Sequence, residues 1–223
     1  ERPPPPANGP GMSDEEVRDN CLTFLLAGHE TTANCLGWTF WLLAQNPGVV
    51  RKLREEIAQQ LPGGAAVSMK ALKAMPYAQA VIKESLRLCP PAPFTMRTAL
   101  EEDELCGQPI PAGTIFVIPP VVLGRHPDLW EQPLAFAPER WIDSSFDAGK
   151  DDHAFKWLPF LAGSRTCIGK EFALMEAGIA LVGIVQKFSF ELIPDHPEVF
   201  GEQGTITMTP RPFLRMRISP VKA

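Results

Sequence analysis

The chain has 223 residues, with 21 basic against 26 acidic side chains (net charge −5) and 45% hydrophobic residues. This suits one sizeable folded domain or two small ones, and the absence of any basic block argues against a nucleic-acid partner. Its 24 prolines are about twice the ordinary share, so a large part of the chain must run as irregular coil.

Residues 1–12, proline-rich and without an initiating methionine, read as a linker, as though the chain begins within a longer protein. Ser13 and Glu16 form a capping-box pattern that predicts a helix from residue 13 to about Gln45, roughly 50 Å long, stopping at Asn46-Pro47. Further helices are predicted over 48–60, 68–74 and 77–88, the last closed by Cys89-Pro-Pro91. Short strands follow at 95–99, 104–110 and 114–118, joined by turns at Gly107 and Pro111–Gly113. Residues 119–159 read as a long proline-dotted coil with one helical turn near Pro127–Trp130. A final helix over 168–186 and strands at 188–192, 205–208 and 213–218 complete the pattern. A coil of such length inside a compact domain points to function. No apolar run reaches the ~18 residues of a membrane span, and no signal peptide is predicted.

The five cysteines include no Cys-x-x-Cys pair, which speaks against a zinc clip or a disulfide framework. Cys21, Cys35, Cys89 and Cys106 read as buried thiols in a reducing compartment. Cys167 differs. It lies in Phe160-Leu-Ala-Gly-Ser-Arg-Thr-Cys-Ile-Gly169, ahead of a predicted helix whose free N–H groups favour a thiolate. Gly163 and Gly169 permit close approach, Phe160 offers apolar cover, and Arg165 offers a cation for a carboxylate. Such a loop is a good soft iron ligand, but spacing alone leaves a structural glycine loop around a buried cysteine equally open.

The loop matches every fixed position of the Phe-x-x-Gly-x-Arg-x-Cys-x-Gly signature, and in this it resembles the cytochrome P-450 haem-thiolate monooxygenases. Glu84-Ser-Leu-Arg87 is similar to the family's Glu-x-x-Arg, with the pair at i and i+3 on one helix face. Pro138-Glu-Arg-Trp141 resembles its Pro-Glu-Arg-Phe, with Trp141 in place of the usual aromatic. The resemblance implies a triad of Glu84, Arg87 and Arg140 that locks the coil against the haem's cysteine side. It implies haem b ligated through iron by Cys167, with Arg97 and Arg165 facing the propionates.

Leu26-Ala-Gly-His-Glu-Thr-Thr-Ala33 opens as a zinc-protease helix would, but position i+4 from His29 is Ala33, so the second ligand is missing. Ala27, Gly28, Glu30, Thr31 and Thr32 instead fit the family's Ala-Gly-x-Glu-Thr-Thr. The resemblance places this stretch on the oxygen side of the haem. Gly28 would make room there, and Thr31 would support proton delivery to dioxygen with Glu30 as acidic companion. Thr32 and His29 read as structural. A threonine-rich bend bonded back on its own helix is the bland alternative.

The fold implied is mainly α with small β-sheets, the C-terminal half of that fold over residues 13–220. Its parts are the long oxygen-side helix, the Glu-x-x-Arg helix, the meander coil, the cysteine loop and the last helix. The activity implied is insertion of one oxygen atom from O2 into a small lipophilic substrate. Electrons would come from a flavoprotein or ferredoxin-type reductase, since no Gly-x-Gly-x-x-Gly fingerprint occurs. Residues near 91–95 and 207–210 would line the pocket. Glu30 and Gly124–Pro127 give a microsomal flavour, with membrane attachment only through a missing N-terminal anchor at the endoplasmic reticulum. A truncated chain without haem or activity, and a haem-thiolate isomerase or lyase, are the alternatives.

Overall fold

The computed structural model describes residues 11–142, 155–203 and 207–221, so most of the predicted linker and part of the long coil lie outside the described residues. Helix α1 spans Asp14–Gln45. It starts with the capping box: Glu16 N–H donates to Ser13 Oγ at 3.2 Å and Ser13 N–H to the Glu16 carboxylate at 2.9 Å. Asp14, Glu15 and Glu16 add negative charge where the helix dipole is positive. Pro47 cannot continue α1 but suits the first turn of α2 (Pro47–Gln60), which buries Val49, Leu53 and Ile57 along one face.

Ser68 caps the short α3 (Met69–Lys73). Helix α4 (Pro76–Leu88) is buried around nearly its whole circumference. Its first N–H groups have no partner within the helix, and Glu56 of α2 takes up two of them, accepting from Tyr77 and Ala78 at 2.8 Å each. Helix α6 (Lys170–Lys187) closes the core with Leu181, Val182 and Val185 against Leu43, Leu53, Met75, Ala78 and Val81. A second cluster joins Trp38 and Leu42 of α1 to Leu88 and Cys89.

The strands form four antiparallel pairs: β1 (Thr95–Thr98) with β4 (Ile115–Ile118), β2 (Asp103–Leu105) with β3 (Gln108–Ile110), β5 (Phe188–Leu192) with β8 (Met216–Pro220), and β6 (Phe200–Gln203) with β7 (Met208–Arg211). The mainly α architecture with small sheets is the one the sequence implies.

Five local expectations are corrected or refined. The strand predicted over 104–110 is a hairpin folded at Cys106-Gly107, both with positive φ. The helical turn expected near Pro127–Trp130 is present as a single turn, closed by Trp130 N–H on His126 O at 3.1 Å, but the coil also holds an unforeseen helix, α5 (Pro120–Leu123), with Pro120 at its first position. The final helix starts at Lys170, three residues after Cys167 rather than directly behind it. Strand β6 lacks any apolar alternation and exists through its pairing with β7, which runs from Met208; residues 205 and 206 of the strand predicted over 205–208 lie outside the described residues. Of the four cysteines read as buried, Cys35 and Cys89 are, while Cys21 and Cys106 are exposed. Among the described residues no helix is long and apolar enough to cross a membrane.

Candidate functional site

The structure brings Glu84, Arg87 and Arg140 together. Glu84 and Arg87 have no exposed side-chain surface and pair through two 2.8 Å hydrogen bonds from the guanidinium. Arg140 Nε donates to the same carboxylate at 3.0 Å, as does the Ala137 N–H. The remaining donors of Arg87 reach the carbonyls of Gly124, Pro133 and Ala135. A buried ion pair is tolerable only when its lone pairs and protons are satisfied in this way. The result is a stitch between α4 and the coil of residues 119–141.

The signature Pro138–Trp141, a single 3-10 turn, is more fully used than the sequence suggests. Trp141 Nε1–H donates to Glu84 at 2.9 Å, a contact phenylalanine could not make. Glu139 accepts from Lys52 Nζ at 2.6 Å and Tyr77 Oη at 2.9 Å, joining α2, α4 and the coil. Burial alone would raise the Glu139 carboxyl, but hydrogen bonds from Lys52 and Tyr77 outweigh it and hold the group below its ordinary value. At Glu56 burial prevails over its two backbone donors and raises the carboxyl. Gly124 is required where it stands: a Cβ there would lie 2.2 Å from the Arg87 carbonyl oxygen. Nothing in spacing alone marks these partners, because they are far apart along the chain.

Beyond this stitch lies a cavity of about 520 Å³, walled by α1, α4, α6 and the cysteine loop. Ala27, Gly28 and Thr31 line one side, Phe160, Arg165, Cys167 and Gly169 another. The loop folds on itself: Cys167 N–H donates to Phe160 O at 2.9 Å, and Gly163 sits at φ +72° in the left-handed region. Gly163 itself is not on the wall. A Cβ built at Gly28 meets nothing within 4 Å, so the missing side chain leaves open space on the cavity side of α1. Two sulfurs reach the wall. Burial pushes the Cys35 thiol up to about 12, which keeps it protonated, while Cys167 is exposed.

Other expected residues fall elsewhere. Arg97 is exposed on β1 and donates to Thr95 Oγ1 (3.1 Å) and Met96 O (2.8 Å), away from the wall. Pro91 and Ala92 line the cavity, but Thr207–Pro210 do not. Thr31 lines it with its hydroxyl bonded back to Ala27 O at 2.7 Å, the very geometry the bland alternative describes. The hydroxyl oxygen can still accept a hydrogen bond. Glu30, one residue earlier on the helix, faces away and accepts a hydrogen bond from Thr207. Thr32 is buried on the wall, and His29 is exposed.

An apolar cavity framed by a thiol-bearing loop and a small-residue helix face is a candidate cofactor site. The family model described as Cytochrome P450 matches residues 6–215. The chain is 38% identical over 209 residues to Cyclooctatin synthase of Streptomyces melanosporofaciens, covering 92% of this chain and 45% of that protein. It is 37% identical to Protein LUTEIN DEFICIENT 5, chloroplastic, of Arabidopsis thaliana, covering 91% and 34%. Cytochrome P450 3A29 of Sus scrofa is 40% identical over 180 residues, covering 81% and 35%. The chain belongs to the cytochrome P450 family, and it spans less than half the length of these relatives. Membership implies a haem cofactor with cysteine-thiolate ligation. Relatives of similar identity in a bacterium, a plant and a pig do not single out a microsomal subgroup.

Proposed function

We propose that residues 13–220 form the cysteine-ligand part of a haem-thiolate monooxygenase. It would insert one oxygen atom from O2 into a lipophilic organic substrate, drawing electrons from a separate flavoprotein or ferredoxin-type reductase. The observation that carries this reading is that Cys167 and the Ala27–Thr31 stretch of α1, 136 or more residues apart in sequence, wall one apolar cavity. The space in front of Gly28 and the cation of Arg165 suit a flat, apolar cofactor with carboxylates at its edge.

Cys167 would hold the haem iron, with Arg165 near a propionate and Phe160 as apolar cover. Arg97 serves the second propionate only if β1 is brought to the cofactor's edge. The bound haem supplies the oxygen-activating redox chemistry. This chain's own residues orient and shield it: α1 closes the opposite wall, and the Thr31 oxygen can accept and relay a proton at the cavity surface. The Glu84 cluster keeps the coil in place behind the loop.

The test is reductase-supported turnover under isotope-labelled dioxygen. One labelled atom in the product is expected; turnover without oxygen uptake would point to an isomerase or lyase instead. A second reading, that the isolated chain does not retain haem, is favoured by the exposure of the wall: Ile168 is 88% and Phe172 64% exposed. Haem titration of the 223 residues separates the two, since stoichiometric binding contradicts the second.

A further inference from the structure

Glu30 and Asn34 stand at i and i+4 on α1, so they share a face of the helix. That face is turned to β7, not to the cavity. Thr207, just before β7, is 4% exposed and lies between them. Asn34 Nδ2 donates to Thr207 Oγ1 at 3.1 Å, and Thr207 Oγ1 donates to Glu30 Oε1. The direction of this chain is fixed by chemistry. An amide N–H can only donate, so the Thr207 oxygen accepts from Asn34 and its own proton is left for the carboxylate. Each bond polarises the next. The surrounding strand is riveted to the same helix: Trp38 Nε1–H donates to Met208 O at 3.0 Å, and a Cβ built at Gly37 would lie 3.6 Å from Pro210 Cγ. Met208 N–H in turn donates at 2.7 Å to the carbonyl of Pro91, a cavity-wall residue.

We propose that Thr207 is a positioning residue for Glu30, fixing that carboxylate on the β7 side of α1 in register with the strand rather than with the helix alone. The acid that precedes the cavity threonine in sequence therefore follows the strand, and the strand follows Pro91 at the wall. This rests on the monooxygenase reading for its catalytic consequence, but the anchor itself does not depend on haem.

The experiment has two arms. In the ligand-free chain, urea midpoints are measured for Thr207→Val, Glu30→Gln and the double variant. Thr207→Val keeps the shape, and Asn34 retains Thr209 Oγ1 as acceptor at 3.3 Å. The double variant is expected to lose little more than the larger single loss; strictly additive losses overturn the anchor. In the haem-loaded enzyme, Thr207→Val is expected to lower kcat several-fold at nearly unchanged KM, with Thr207→Ser restoring it. Unchanged kcat in Thr207→Val overturns the positioning role. If the unmutated protein gives no thiolate-ligated haem, the monooxygenase reading has failed, and the urea cycle alone decides whether Thr207 anchors Glu30.

Discussion

The Glu84 carboxylate and the Cys167 thiol occupy opposite conditions in one molecule. Glu84 is fully enclosed, and its oxygens accept from Arg87, Arg140, Trp141 and Ala137. Cys167 is exposed on a loop beside an open-faced cavity, and residues 14–30 of the helix opposite are exposed as well, with Leu26 at 73%. The first region is complete in itself; the second holds reactive groups in place but encloses little. Stability thus rests on the first part of the chain and the proposed chemistry on the second, and a substitution in one should register in a different measurement from a substitution in the other.

The sharpest way to break the enclosed region is Glu84→Gln. It removes the charge that Arg87 and Arg140 share and leaves Arg87 buried, so a loss of about 3–5 kcal/mol is expected in urea unfolding. Trp141→Phe is gentler. A smaller aromatic ring remains and the one donor to Glu84 is lost, at about 1.5–3 kcal/mol for a hydrogen bond to a charged group. Gly124→Ala forces a methyl against the Arg87 backbone, an overpacking expected to cost about 1–3 kcal/mol. All three should leave the alkylation rates of exposed Cys21 and Cys106, followed site by site in the folded chain, unchanged.

Two carboxylates sharpen the same comparison through pH. Glu139 has a depressed folded-state value, so its contribution is present above the ordinary carboxylate value and is lost as pH falls through the depressed one. Glu56 has a raised value, so its contribution is present below the ordinary value and is lost as pH rises through the raised one. Stability measured from neutral to acid pH should therefore fall less steeply in Glu139→Gln and more steeply in Glu56→Gln than in the unmutated chain. Equal slopes in all three would contradict the assignment.

The legible parts of the fold were those encoded locally. The capping box of Ser13 and Glu16, the Asn46-Pro47 break and the Ser68 cap each act within a few residues, and the helices they bound lie where the pattern puts them. Strand β6 was not legible, because Phe200–Gln203 has no apolar alternation and is a strand only by virtue of β7. The site divides in the same way. Spacing placed Glu84 and Arg87 on one helix face, but the tryptophan donor, the Glu139 clamp and the need for glycine at 124 arise from chain segments tens of residues apart. The sequence also paired Glu30 with Thr31 as neighbours, whereas adjacent helical residues point about 100° apart, and the structure sends one to the strand and the other to the cavity.

The central claim is that Cys167, rather than Cys35 on the same wall, is the haem ligand. It is tested most directly by loading the protein with haem, reducing it, and recording the carbon monoxide difference spectrum of the unmutated chain, Cys167→Ala and Cys35→Ala. A thiolate-type spectrum that survives in Cys35→Ala and disappears in Cys167→Ala is the predicted result. A thiolate-type spectrum that persists without Cys167 would contradict it.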